Sequence, residues 1–111
     1  MPVSNSPALV SKPRIFFERS ELTLILNLYG RMVAAGAWRD YAMDALEDRA
    51  VFSIFFRTSE APIYQIEKRP ALARRQGAFA VVNAAGLILR RGHELPGVLA
   101  FLEPKRLRAV E

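Results

Sequence analysis

The most regular hydrophobic pattern in the chain lies between residues 21 and 35. At 100° per residue its large apolar side chains fall on one arc of a helix, which Leu24 and Leu28 widen: Leu22, Ile25, Leu26, Tyr29, Met32 and Val33. Ser20 is placed to cap the N-terminus, and Gly36 follows the last turn as a C-terminal stop. The pattern predicts an amphipathic helix seated deeply on a sheet.

Strand-like patterns dominate the rest of the chain. A short strand is predicted at 15–17, before the helix. Residues 37–48 fit either helix or strand; the alternation of Tyr41, Met43 and Ala45 with Ala42, Asp44 and Leu46 favours a strand that turns at Glu47-Asp48. The remaining predicted elements are strands at 49–57, 63–68, 78–83 and 87–91, a second helix at 94–103 and an edge strand at 107–110.

A run of strands between two helices is typical of an α+β domain with a mostly antiparallel sheet. The sequence therefore predicts a single α+β domain over 14–111, with about five strands and two helices. Residues 1–13 hold three Pro and three Ser, and this composition predicts a disordered arm. No apolar run approaches the roughly 20 residues that a membrane span needs. The first residues lack the pattern of a signal peptide, so a cytoplasmic protein without membrane contact is expected.

Alternation along the strand at 49–57 assigns its two faces. Ala50, Phe52, Ile54 and Phe56 form one apolar face, expected to lie under the first helix. Val51 and Phe55 lie on the opposite face, and Ile63 has the matching parity on the next strand. Two helices are too few to cover both faces, so a partner is expected to cover Val51, Phe55 and Ile63. The simplest such partner is a second copy, which predicts a homodimer.

Charge adds a second candidate surface. The net charge is +5 and the calculated pI about 10.2, with sixteen Lys and Arg against eleven Asp and Glu. If the strands pair as predicted, six cations gather at one end of the sheet: Lys68, Arg69, Arg74, Arg75, Arg90 and Arg91. Such a group suits phosphate binding, with Tyr64 or Phe79 available for base stacking. Nucleic acid, or another polyanion, is therefore the alternative partner.

The sequence lacks the residue types that several kinds of catalytic and metal-binding site require. The chain has no Cys and a single His93, so thiolate chemistry and zinc, haem or iron–sulfur ligation are not expected. The acidic residues Asp40, Asp44, Glu47 and Asp48 match no calcium-loop spacing. Ser53 has no nucleophile-elbow motif around it, and no glycine-rich phosphate loop occurs. We expect no catalytic residue, cofactor or metal, and hence a protein that is not an enzyme.

Six sequence blocks point to a known family. They are LNLYGRMVAAG (26–36), WRDY (38–41), RAVFS (49–53), IEKRP (66–70), LARRQG (72–77) and LILRRGH (87–93). Together they resemble a family of small proteobacterial proteins classified only as a domain of unknown function, over residues 14–110. The resemblance implies a bacterial cytosolic protein and supplies no catalytic residues.

Overall fold

A computed structural model describes residues 13–57 and 60–104. Its elements are helix α1 (Arg19–Ala34), strands β1 (Asp40–Ala45), β2 (Ala50–Phe55), β3 (Tyr64–Lys68), β4 (Phe79–Asn83) and β5 (Ile88–Gly92), and helix α2 (Leu95–Leu99), with 3-10 turns at Pro70–Leu72 and Ala100–Leu102. The predicted strand at 107–110 and the predicted arm, apart from Pro13, lie outside the described residues.

The five strands form one antiparallel meander in the order β1-β2-β3-β4-β5. Each strand therefore pairs with its neighbour in the chain, and β1 and β5 form the two edges. With two helices packed against it, this sheet confirms the predicted α+β class. It also resolves the ambiguity at 37–48, which contains the strand Asp40–Ala45.

Both helices pack on the same face of the sheet. Phe52 and Ile54 from β2, fully buried, lie in one core cluster with Ile25 and Leu28 from α1. The cluster also takes in the buried apolar residues of α2 and the following turn: Leu95, Val98, Leu99 and Leu102. The predicted position of Phe52 and Ile54 under the first helix is confirmed.

Helix α1 differs from its prediction at its N-terminus. It begins at Arg19, and its cap is Glu18 rather than Ser20. Glu18 and Glu21 form a capping box, in which the Glu18 N–H donates to Glu21 Oε1 over 2.7 Å. Two backbone donors are satisfied in this way, which a serine at position 20 inside the helix does not offer. At the other end Gly36 has φ +79°, as its predicted role after the last turn requires.

The apolar arc of α1 is less deeply buried than predicted. Ile25 and Leu28 are buried, but Leu24, Leu26 and Val33 are exposed. The helix lies on the sheet along one narrow stripe, so apolar residues on its flanks stay in solvent.

Residues 15–17 also form no strand. The Ile15 N–H donates to Leu46 O over 2.8 Å, and Arg14 Nη1 donates to Ala45 O over 2.8 Å. These links tie the segment before α1 to one end of β1 without a continuous ladder.

The second face of the sheet is less open than the alternation suggested. Val51 is only 4% exposed, and Ala80 and Val82 are buried as well. Polar side chains occupy this face, including Gln65, which donates to Ser53 Oγ over 3.0 Å. The long polar side chains on this face cover the smaller apolar residues beside them, so little apolar surface is exposed to solvent.

Candidate interaction surfaces

Several exposed apolar side chains lie where the flank of α1 adjoins the edge strand β1. We call this surface the α1–β1 seam, and it consists of Phe16, Leu26, Val33, Tyr41 and Met43, all substantially exposed. Leu22, Leu26, Tyr29 and Val33 follow each other at spacings of four, three and four, so they form one stripe of the helix. Since β1 has no strand beyond it among the described residues, this stripe and the helix-side residues of β1 meet solvent together.

A pocket of about 230 Å³ opens at one end of the seam. It is lined by Phe16, Phe17, Leu22, Met43, Asp44, Ala45 and Ala50. Met43 is 48% exposed and Phe16 is 65% exposed, so two large apolar side chains form its rim. Such a pocket can accept an apolar side chain from a partner that lies along β1.

At the Tyr41 end of the seam, aromatic rings pack against each other and hold Tyr41 in place. Tyr41 stacks on Phe52 at 4.8 Å between ring centroids and meets Tyr29 edge-on at 4.9 Å. Burial, then the charge of Asp40 and the neighbouring Tyr41, raise the pKa of the Tyr29 hydroxyl above its ordinary value. Tyr29 therefore stays neutral at physiological pH.

The six predicted polyanion-binding residues differ in their partners. Lys68 lies on the helix side of β3, opposite Ala50, where Nζ pairs with Glu21 Oε1 over 2.8 Å and donates to Phe16 O over 3.0 Å. Arg69 pairs with Glu67 over 3.1 Å and with Asp48 over 3.0 Å. Both cations are engaged with carboxylates, so neither is free for phosphate.

The other four cations lie near the far edge of the sheet. Arg91 is half-buried and donates to Gly77 O over 3.1 Å. Arg74, Arg75 and Arg90 are exposed and make no ion pair or side-chain hydrogen bond within the described part of the chain. These three are the available guanidinium groups.

The loop that carries Arg74 and Arg75 is held closely against the end of β5. Gly77 has φ +109°, and a Cβ there would clash with the backbone C and O of Gly92. His93 Nδ1 also lies 3.0 Å from Ala73 O. The close backbone approach fixes the loop beside β5 and explains why position 77 requires glycine.

The predicted interface residues are separated. Val51 is buried and Phe55 is half-buried on the second face, whereas Ile63, just before β3, packs against the helix-side core cluster. Ile63 also lines a pocket with Trp38 and Tyr64. The parity that placed Ile63 beside Phe55 does not hold, because residue 63 precedes the regular part of the strand.

No alternative site for chemistry emerges in the part of the chain that is described. There, no group of three or more His, Cys, Asp or Glu is arranged to hold a metal ion. Ser53 is buried and bonded to Gln65, away from His93. No described helix is long and apolar enough to cross a membrane.

The seam was not predicted from the sequence, although the pattern that indicates it is present. The apolar arc on α1 is wider than the stripe by which a helix contacts a sheet. Tyr41 and Met43 lie on the same face of the first strand. A broad arc beside an edge strand leaves apolar surface outside the core.

Comparison with known proteins places the chain in a family. No curated protein and no solved structure matches it. The family model described as "Protein of unknown function (DUF2794)" matches residues 15–99, which include the whole sheet and both helices. The resemblance seen in the sequence blocks is thereby confirmed, and the chain belongs to the DUF2794 family of proteins of unknown function.

Proposed function

We propose that this protein is a non-enzymatic interaction module that self-associates through the α1–β1 seam. The observation that carries the proposal is the exposure of five large apolar side chains along the flank of α1, the segment before it and the edge strand β1: Phe16, Leu26, Val33, Tyr41 and Met43. Contiguous apolar patches with Tyr, Phe and Met are characteristic of the centres of protein interfaces. A second copy would remove these side chains from water.

The seam differs from the surface predicted from the strand alternation, which comprised Val51, Phe55 and Ile63. Val51, in that earlier surface, is already buried within one chain, so a partner gains little by covering it. The seam side chains gain roughly 25 cal/mol for each Å² of apolar area removed from water. The favourable free energy of association therefore lies on the seam.

Light scattering coupled to size exclusion tests the proposal. Between about 10 and 500 μM, the mass should rise from the 12.5 kDa of the monomer towards twice that value. Leu26→Glu should weaken dimerisation at least tenfold and keep the helix, because glutamate is a good helix former. Leu87→Glu is the matched control, since Leu87 is 63% exposed outside the seam.

Two results would contradict the proposal. A wild-type protein that stays monomeric across the whole range would exclude self-association. A dimer that Leu26→Glu leaves intact and Phe55→Glu dissociates without unfolding would instead move the interface to the second face.

Polyanion binding is a second candidate function, supported by a different observation. Arg74, Arg75 and Arg90 are exposed and unpaired among the described residues, and the loop that carries two of them is held against β5. Arginine without a carboxylate partner is suited to phosphate. Three contacts predict a slope of log affinity against log salt of about −2 to −3.

Titrations of labelled RNA and DNA at several salt concentrations test this candidate. Arg74→Ala/Arg75→Ala should reduce the magnitude of the slope by about 1.4 to 1.8. Arg19→Ala/Arg39→Ala removes the same charge from elsewhere on the surface and should change the slope by less than half of that. Equal effects from the two double variants, or no binding at low salt, would exclude a specific phosphate site on the loop.

A further inference from the structure

The open edge of β1 has a defined polarity. The Leu46 N–H donates to Arg49 O over 2.8 Å, and with the observed register this directs the main-chain groups of the even-numbered residues of β1 towards β2. In an antiparallel ladder these directions alternate. The N–H and C=O groups of Tyr41, Met43 and Ala45 therefore point away from β2, to the open edge.

Two of these six outward groups are already satisfied. The Tyr41 N–H donates to the side chain of Asp40 over 2.8 Å, and the Ala45 C=O accepts from Arg14. The Tyr41 C=O, both groups of Met43 and the Ala45 N–H have no hydrogen bond from the described residues. Unpaired groups on an exposed edge are a template for another strand.

We propose that β1 pairs antiparallel with β1 of a second copy about a two-fold axis at Met43, which joins two five-stranded sheets into one. The inference rests on the proposed function and specifies its geometry. In this register Met43 lies opposite Met43 of the second copy, and Tyr41 lies opposite its Ala45.

The free main-chain groups match each other in this register. The free groups of Met43 bond to each other across the axis, and each Ala45 N–H donates to the Tyr41 C=O of the second copy. The remaining pair that faces across the axis, Tyr41 N–H and Ala45 C=O, is the pair that Asp40 and Arg14 already satisfy. Every outward group then has one partner.

An axis at Ala42 gives a poorer match. It would place Tyr41 opposite Met43 and leave the Met43 C=O facing an N–H that Asp40 already holds. It would also place Asp40 directly opposite Asp44, and like charges at that position are destabilising. With the axis at Met43, Asp44 lies opposite Ala42 instead.

The same axis brings the rest of the seam together. A two-fold axis normal to the sheet keeps the helices of both copies on one side, with the exposed Leu26 and Val33 stripes facing each other. A strand of six residues spans about 20 Å, and a helix on a sheet is about 20 Å high. The contact buries on the order of 1,000 Å² in total, the lower end of specific interfaces.

Pairing of β1 with β5 would be the competing arrangement. A head-to-tail contact of this kind grows into open chains rather than a closed dimer. Strand β5 also carries a register shift opposite Val81 and Val82 and an exposed Arg90, and both features protect an edge from pairing.

Single-cysteine cross-linking tests the register, because the natural chain has no cysteine. Hydrogen-bonded antiparallel partners have Cα atoms about 5.5 Å apart, within the range of a disulfide. Met43→Cys should therefore cross-link in most molecules under mild oxidation, at concentrations where the wild type is dimeric. Ala42→Cys should not, since its two copies are diagonal neighbours about 7–8 Å apart. Leu87→Cys reports random collision, and urea should reduce Met43→Cys to the same background.

The cross-linking results and the oligomeric mass distinguish between the possible arrangements. Cross-linking of Met43→Cys above both controls supports the inference. Preferential cross-linking of Ala42→Cys overturns the register, and a wild-type dimer in which neither cross-links overturns strand pairing while the proposed function stands. Oligomers larger than dimers would favour β1–β5 pairing, and a monomeric wild type would overturn the proposed function and the inference together.

Discussion

The ion-pair partner of Lys68 depends on the face of the sheet to which its side chain points. The sequence grouped Lys68 with Arg69, because the two are adjacent in a basic segment. Adjacent strand residues point to opposite faces, so Lys68 reaches Glu21 under the start of α1 while Arg69 pairs with Glu67 and Asp48. Composition predicts how many cations a surface holds, but ion pairs between distant segments depend on the tertiary fold.

Removal of this lysine should destabilise the fold. The Lys68 and Glu21 side chains are 13% and 15% exposed, so Lys68→Met leaves a largely buried carboxylate without its cation. We expect a loss of about 2–3 kcal/mol in the free energy of unfolding, measured in urea. Arg74→Met, on the exposed loop, should change it by less than about 0.5 kcal/mol. Equal effects from the two variants would mean that the ion pair contributes nothing to stability.

At the scale of elements, the hydrophobic pattern predicted the positions of helices and strands better than it predicted the contacts of single residues. Helix α1 and the strands were predictable because their periods are local, and Gly36 marked the helix end correctly. The start of α1 was placed two residues late, because its cap is a pair of glutamates rather than a serine. The segment at 15–17 has the composition of a strand, yet only Ile15 bonds to Leu46, so the ladder that defines a strand is missing.

Two glycines, one inside α1 and one just after its end, should respond oppositely to the same substitution. Gly36→Ala forces alanine to φ +79° and should cost about 1 kcal/mol, although nothing lies within 4 Å of the added Cβ. Gly30→Ala lies inside the helix, also in open space, and should stabilise by about 0.5–1 kcal/mol. Thermal unfolding of both variants checks the pair; a loss at position 30 would show that the outer side of the helix is covered.

At the scale of the whole molecule, the sheet has two edges of different character. β1 is flanked by apolar side chains, whereas β5 carries Arg90 and Arg91 beside the loop of Arg74 and Arg75. The sequence predicted both an apolar and a basic surface but placed the apolar one on the second face. The exposure of a sheet face depends on how side chains of neighbouring strands pack over it. Alternation along one strand does not predict this packing.

Amide hydrogen exchange on the wild-type protein should reveal the assembly. Between about 10 and 500 μM, protection of the Met43 and Ala45 amides should increase several-fold, because they gain partners only in the dimer. The Tyr41 amide, already bonded to Asp40, should change little. The buried Phe52 amide, in the middle of the sheet, is the internal control. Concentration-independent exchange at Met43 would contradict pairing at this edge.

The meander order of the strands also shapes how the chain reaches its fold. Each strand closes on the one just before it, so the sheet assembles through short loops, and topologies of this kind fold quickly. Helix α1 is the exception. It leaves the ribosome before the sheet does, since the Phe52 and Ile66 against which it packs are synthesised 18 or more residues after Ala34. During synthesis its apolar stripe has no sheet beneath it, and transiently exposed apolar surface of this kind makes an incompletely folded chain prone to aggregation.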